Sequence, residues 1–239
     1  MLAAEAMRLA AVEALCPTAA IDSDAGWPTL ARHRVYDSVG ILPEDVEPGA
    51  AYTPCLSLYT DDIRVERRGE TAASVIGSAT AVLNVVAELA IATPDEDGVV
   101  QAVPLAQGDA QARLVLGALC AQVRKTLVHA EAGSIFRSIV GSVEDLRVEP
   151  FTLPQFDIRW MRSTVRFTCR NRDDKFTDAA GLPEPTRSLF LALPAGSYAK
   201  AKLAELDAAF AATSRTALDA IIFSTTGDPA DGQAEGSAP

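Results

Sequence analysis

The segment from Phe156 to Arg172, FDIRWMRSTVRFTCRNR, constrains the fold more strongly than any other part of the chain. Apolar or small residues alternate with polar residues along it, which is the pattern of a β-strand with one buried face. The face predicted to be buried carries Met161, Ser163, Val165, Phe167 and Cys169. The opposite face carries Arg162, Thr164, Arg166, Thr168, Arg170 and Arg172.

The four arginines on one face of this strand have two interpretations. One is an outer sheet face that is solvated or salt-bridged within the chain, since threonine and arginine are common on exposed strands. The other is a basic stripe that faces acidic groups of another subunit or the phosphates of passing DNA. The candidate contact residues on this strand are Arg162, Arg166, Arg170 and Arg172.

A second strand is predicted from Cys55 to Asp62, CLSLYTDD, where apolar alternation stops at two adjacent carboxylates. Neighbouring side chains on a strand point to opposite faces, so Asp61 and Asp62 cannot jointly hold a metal ion or a proton without a local bend. We interpret them as the point where the strand leaves the core, toward an adjoining subunit. They are candidate contact residues, and no catalytic role is expected of them.

The whole pattern predicts an α/β (α+β) fold, with a mixed or antiparallel sheet flanked by helices. An amphipathic helix is expected from Leu2 to Cys16, because apolar residues recur at helical spacing and Pro17 follows. Residues 26–54 are rich in turn formers and are predicted to be mostly irregular. The other predicted elements are a strand over Ser78–Thr93, a helix capped by Asp109 that runs to about His129, and a strand over Val143–Phe151. Leu153 and Pro154 are predicted to join this last strand to the arginine strand in a hairpin-like connection.

Changes in composition along the chain predict three parts. Residues 1–173 are expected to form the α/β domain, and residues 174–223 a helical extension that begins with a proline-rich stretch. Residues 224–239 have the composition of a flexible tail, or of one that a partner orders.

Charge and cysteine usage exclude several functional classes. The net charge of −11 argues against a free-standing nucleic-acid binder, which normally has a basic footprint. Cys16, Cys55, Cys120 and Cys169 form no closely spaced pair, and His33 and His129 stand alone. We therefore expect buried thiols in a reducing compartment, no metal site and no cofactor.

The N-terminal segment predicts neither a signal peptide nor a membrane span. Glu5, Arg8 and Glu13 interrupt its apolar residues. No part of the sequence approaches the roughly 20 uncharged apolar residues that span a bilayer. A soluble protein that works in a cytoplasm, or in a particle assembled there, is expected.

Sequence motifs do not indicate catalysis. The chain has no GxSxG, P-loop, GxGxxG or HExxH pattern. A Cys120–His129 pair is conceivable, but nine residues at about 100° per residue put the two on roughly opposed faces of one helix. Cys120 is expected to belong to the core.

The order of these segments resembles that of the tail terminator (tail-completion) proteins of long-tailed phages and of phage-derived gene transfer agents. The resemblance covers about residues 1–174. It rests on the segments AVEALCP, WPTLARHRVYDS, PCLSLYTDD, VLNVVAELAIAT and RFTCR, in that order.

The resemblance implies a structural virion protein with no enzymatic activity. Such a protein forms a homo-hexameric ring in the tail and neck of the particle, after assembly in the host cytoplasm. The ring ends polymerisation of the tail tube protein and joins the tube to the head-neck connector or stopper protein, with DNA passing through its lumen. Another neck component, or a small cytoplasmic hydrolase, is the alternative.

Overall fold

A computed structural model describes residues 1–67, 77–94, 97, 99–105, 110–153, 158–176 and 181–212. Six strands form one sheet: β1 Val35–Asp37, β2 Thr53–Arg67, β3 Gly77–Pro94, β4 Val100–Pro104, β5 Val140–Leu153 and β6 Ile158–Arg172. The α-helices are α1 Leu2–Leu15, α2 Thr18–Ser23, α3 Ala110–Arg124, α4 Ser134–Ile139, α5 Thr186–Ala192 and α6 Tyr198–Ala212. The predicted α/β (α+β) class, with helices flanking a sheet, is confirmed.

The sheet is mixed, with strand order β1-β2-β3-β6-β5, and β4 pairs with β3 beyond this path. Only β1 and β2 run parallel among the described pairs, and the others are antiparallel. The arginine-bearing strand β6 therefore lies inside the sheet, between β3 and β5. Its predicted hairpin-like relation to the preceding strand is confirmed by the antiparallel β5–β6 pair.

One face of the sheet forms the main core. Leu58, Val85 and Val165 lie side by side across β2, β3 and β6 and are fully buried. Side chains of five helices pack in the same cluster, among them Leu9, Leu119, Phe136, Leu189 and Leu203. Helices thus cover this face, because alternate residues of the strands present it with a continuous apolar surface.

The helix predicted from Leu2 to Cys16 is present as α1, and only Leu2, Glu5 and Arg8 on it are not buried. Alanines all round the helix are buried, and so is Glu13. The small side chains let α4, α5 and α6 approach α1 together with the sheet. Its N-terminus is held by Asp174, whose carboxylate accepts hydrogen bonds of 2.7 Å from the backbone N–H groups of Leu2 and Ala3.

Segment 174–223 supplies α5 and α6, which pack against α1. Leu189, Leu193 and Leu203 are part of the same core as the sheet. The predicted boundary after residue 173 stays a prediction, although the apolar packing is continuous across it. The predicted tail, 224–239, lies outside the described residues.

Several local expectations can be compared with the structure. The strand predicted over Ser78–Thr93 is confirmed as β3. The long predicted helix is α3, followed by a π-helical turn over Lys125–His129. Its expected cap, Asp109, and the Pro154 turn lie outside the described residues.

Candidate functional site

The alternation predicted for β6 is present in the structure. Met161, Val165, Phe167 and Cys169 are buried, and Ser163 is buried with them. Arg162 and Arg166 are half-buried, whereas Arg170 and Arg172 are exposed. These four arginines and their polar neighbours form what we call the arginine face, on the side of the sheet away from the helical core.

Three of the four arginines have acidic partners within the chain. Arg162 Nε lies 3.6 Å from Glu88 Oε2. Arg166 Nη2 lies 2.5 Å from Asp62 Oδ2, and Arg170 Nη2 lies 2.5 Å from Glu144 Oε1. For these three, the salt-bridged interpretation of the arginine face is realised.

Arg172 makes no ion pair within the part of the chain that the structure describes. The paired arginines also keep about a third to half of their side chains exposed, between 35% for Arg166 and 51% for Arg170. Contact of these arginines with a neighbouring subunit or with DNA therefore stays a prediction.

Asp61 and Asp62 do not point to opposite faces, so that expectation was wrong. A β-bulge lies between Asp61 and Arg64. Asp61 pairs with Val82 and Arg64 with Thr80, so β2 contains one residue more than β3 between these two pairs. Asp62 has a φ of 47°, which turns its side chain. Asp61 accepts a hydrogen bond from Asn84 and Asp62 one from Arg166, both on the arginine face.

The acidic pair also does not end the strand. Strand β2 continues through the bulge to Arg67, although residues 61–65 are exposed. The prediction that the chain leaves the core at Asp61 was therefore correct, whereas the prediction that the strand ends there was wrong. A bulge keeps the ladder paired while changing where side chains point, and alternation alone does not reveal it.

A groove of about 600 Å³ lies between α3 and the β5–β6 hairpin, and we call it the α3 groove. Its apolar surface comes mainly from Leu116, Ala121, Leu146, Val148, Pro150 and Trp160. Its cationic residues on the helical side are Arg113, Arg124 and Lys125, with His129 beside them. The described residues that line it include no carboxylate, in a chain whose net charge is −11.

The sequence interpretation missed this groove. Arg113 and Arg124 are 11 residues apart, which at about 100° per residue places them on the same side of a helix. That spacing could have indicated a basic side of the predicted helix. The facing wall, which includes Leu146, Val148 and Trp160, depends on the β5–β6 pairing, and nothing in the local sequence indicated it.

Cys120 and His129 both line the α3 groove, whereas roughly opposed faces were expected. The π-helical turn over Lys125–His129 changes the angular spacing on which that expectation depended. Burial raises the pKa of the Cys120 thiol to about 11, so the thiol is protonated at neutral pH. A thiol that is not ionised is a poor nucleophile.

The four cysteines are free thiols, and Cys55, Cys120 and Cys169 are buried as expected. Burial also raises the pKa of Cys16 to about 11 and that of Cys169 to about 12. Among the described residues, no three His, Cys, Asp or Glu side chains are grouped as metal ligands. In the same residues, no helix has the length and apolar character needed to cross a membrane.

No protein-family model matches the chain, and no curated protein does so either. The arginine face and the α3 groove are therefore the features from which a function has to be inferred.

Proposed function

We propose that the protein is a tail terminator, a structural subunit that assembles into a hexameric ring on the end of a tail tube. The ring stops tube polymerisation and joins the tube to the head-neck connector or stopper protein. On this proposal the protein works in the virion and catalyses no reaction. The order of sequence segments described above supports it, together with the arrangement of the sheet.

The observation that most directly supports the proposal is the arrangement of charges on the arginine face. Arg166 and Arg170 pair with Asp62 and Glu144 through side chains that are between 34% and 67% exposed, so the face presents both signs of charge to its surroundings. Exposed pairs of this kind contribute only about 0–1 kcal/mol to stability. They can exchange partners with a neighbouring subunit at little cost to the fold.

The two edges of the sheet also support a ring. Strand β1 forms one edge and is three residues long, while β5 forms the other and exposes Val148 and Phe151. Contacts between unlike edges of identical subunits are heterologous, and they close into a ring when the rotation between subunits fits. The ring would act through its shape, as a cap of fixed diameter.

The proposal is tested by light scattering on the full-length protein, alone and after addition of the tube protein. The expected particle mass is six times the 25.2 kDa of the monomer. Arg166→Glu combined with Arg170→Glu is expected to weaken the hexamer or its attachment to the tube. The matched control is Arg187→Glu, a reversal at an exposed arginine of α5.

A monomer under both conditions would contradict the proposal. Unchanged assembly of the variant with Arg166→Glu and Arg170→Glu would contradict the role proposed for the arginine face. Copurification with the portal rather than with the tube protein would identify a different neck component.

A further inference from the structure

The α3 groove is an apolar surface bordered by cations. Leu146 and Val148 of β5 line it, and Val148 is 50% exposed. Arg113, Arg124 and Lys125 border it on the helical side and are exposed. Within the part of the chain that the structure describes, none of these three cations is in an ion pair. The groove therefore suits a partner that presents apolar side chains together with carboxylates.

A loop of the same chain has the complementary character. Residues 38–50, which we call the β1 loop, contain three acidic residues and no lysine or arginine. Val39 and Leu42 in this loop are 53% and 50% exposed. Glu44 is exposed as well, and Glu47 keeps 51% of its side chain exposed despite an ion pair. The loop thus presents apolar side chains and negative charge on one surface.

The β1 loop is anchored to the sheet. Ile41 and Val46 pack with Cys55 and Ala90 in a small apolar cluster of their own. Cys55 lies opposite Glu88, whose side chain is on the arginine face, so the loop covers the side of the sheet away from the helices. A loop that is already held in place loses less conformational entropy when it binds.

The β1 loop and the α3 groove cannot meet within one subunit. The loop begins directly after β1, at one edge of the sheet, whereas the groove lies against β5, at the other edge. Four strand spacings of about 4.8 Å, roughly 19 Å in all, separate these two edges. The sheet also lies between them, because the groove is on the helical side. Each copy therefore has one loop and one groove at opposite edges, as a head-to-tail contact requires.

We propose that the β1 loop of one copy docks into the α3 groove of the next copy around the ring. Val39 and Leu42 contact the apolar surface, and the carboxylates of the loop pair with Arg113, Arg124 and Lys125. This inference rests on the proposed ring and gives it a specific contact between subunits. Each subunit donates one loop and receives another, so the ring closes when the last loop enters the first groove.

The contact is tested by disulfide cross-linking of the full-length protein. Val39→Cys combined with Val148→Cys places one thiol in the loop and one in the groove, and a disulfide forms only between Cα atoms within about 7 Å. Mild oxidation is expected to link copies into a ladder of multiples of 25.2 kDa on a non-reducing gel. Val39→Cys alone is expected to stay monomeric on the gel, because two loops do not meet in a head-to-tail contact. The matched control pair is Val39→Cys with Leu191→Cys, since Leu191 is 69% exposed and lies outside the groove.

Two complementary variants test the direction of the contact. Val39→Ser with Leu42→Ser removes the apolar side chains of the loop, and Arg113→Glu with Arg124→Glu reverses the charge of the groove. Each variant is expected to raise the protein concentration for half-maximal assembly at least about tenfold. An equimolar mixture of the two is expected to form a dimer and no ring, because only one intact loop and one intact groove remain in each pair.

The matched control for the groove variant is Arg187→Glu with Lys202→Glu, which reverses two exposed cations outside the groove. This control is expected to assemble as the wild type does. Circular dichroism checks that each variant folds.

The outcomes separate this inference from the ring proposal. Absence of a ladder from Val39→Cys with Val148→Cys overturns the inference, even if light scattering finds a hexamer. A cross-linked dimer of Val39→Cys alone also overturns it, because the loop then meets a second loop. A groove variant that assembles normally but no longer binds the tube protein overturns it as well, since the groove then receives a different protein. A ladder in a protein that never forms a hexamer supports the contact between loop and groove, and it is the hexameric ring that fails.

Discussion

At the scale of single residues, the arginine face depends on acids that are distant in sequence and differently exposed. Glu88 is the most enclosed of them, with a side chain 13% exposed opposite Arg162. Burial raises the pKa of Glu88 above its ordinary value of 4.5, and the attraction of Arg162 only partly opposes this. The folded state therefore holds the Glu88 proton more tightly than the unfolded chain does.

This difference predicts a pH dependence with a definite sign. Because the folded pKa is raised, the Glu88 contribution to the free energy of unfolding falls as the pH rises from 4.5 through the folded pKa. Glu88→Gln removes that contribution. The free energy of unfolding of the variant, minus that of the wild type, is expected to increase with pH in this window, as measured by urea titrations between pH 4 and 8.

Glu144→Gln is the matched control, since it removes a more exposed carboxylate from the ion pair with Arg170. A difference that decreases with pH for Glu88→Gln would show that the Arg162 attraction outweighs burial. If the difference in the free energy of unfolding varies with pH in the same way for both variants, the effect comes from the loss of an arginine partner and not from the burial of Glu88.

At the scale of elements, a buried carboxylate joins the two ends of the described chain. Glu13, in the last turn of α1, accepts hydrogen bonds from Thr18 N at 2.9 Å and from Thr18 Oγ1 at 3.0 Å. It also accepts one of 2.7 Å from Ser197 Oγ, directly before α6. The start of α6 is thereby fixed to the end of α1.

Ser197→Ala is expected to lower the free energy of unfolding by about 1–3 kcal/mol, because a buried carboxylate loses one of its donors and the Lys200 N–H in the first turn of α6 loses its acceptor. Chemical denaturation measures this loss. The matched control is Ser188→Ala, which removes an exposed hydroxyl that donates to Glu184. That change is expected to stay within about 0.5 kcal/mol. Equal effects of the two substitutions would show that neither hydrogen bond of the Ser197 hydroxyl stabilises the fold.

At the scale of the whole molecule, one apolar core extends from α1 to α6. It contains buried residues from the first helix, the sheet and the helices of segment 174–223. A core shared in this way favours a single cooperative unfolding transition. The helical extension would then unfold together with the sheet.

Leu189→Ala tests this in the middle of α5, where Leu189 is fully buried. The expected loss is about 2–5 kcal/mol, typical of a buried leucine truncated to alanine. Circular dichroism and tryptophan fluorescence are expected to show the same lowered midpoint, because both tryptophans, Trp27 and Trp160, lie outside the extension.

The matched control on the same helix is Leu191→Ala, at a side chain that is 69% exposed. Its effect is expected to be within about 0.5 kcal/mol. A circular dichroism transition that precedes the fluorescence transition in Leu189→Ala would show instead that 174–223 is an independent unit.

Local patterns predicted the elements well where one period dominates. Alternation from Met161 to Arg172 predicted a strand and the faces of its side chains, and helical spacing predicted α3. These properties depend on residues that are close in sequence, so they can be read without a fold. The helical period of Leu2–Leu15 was also correct, but the extent of its burial was not predictable, because the neighbours of α1 come from distant segments.

The sequence by itself thus determined which residues form strands and helices and which strand carries the arginines. Only the tertiary structure decided what those arginines meet, since Asp62 and Arg166 are 104 residues apart in the chain. The bulge that turns Asp62 and the facing walls of the α3 groove were decided there as well. Periodicity is a local property of the chain, whereas ion pairs, bulges and grooves depend on which strands are paired and in which register.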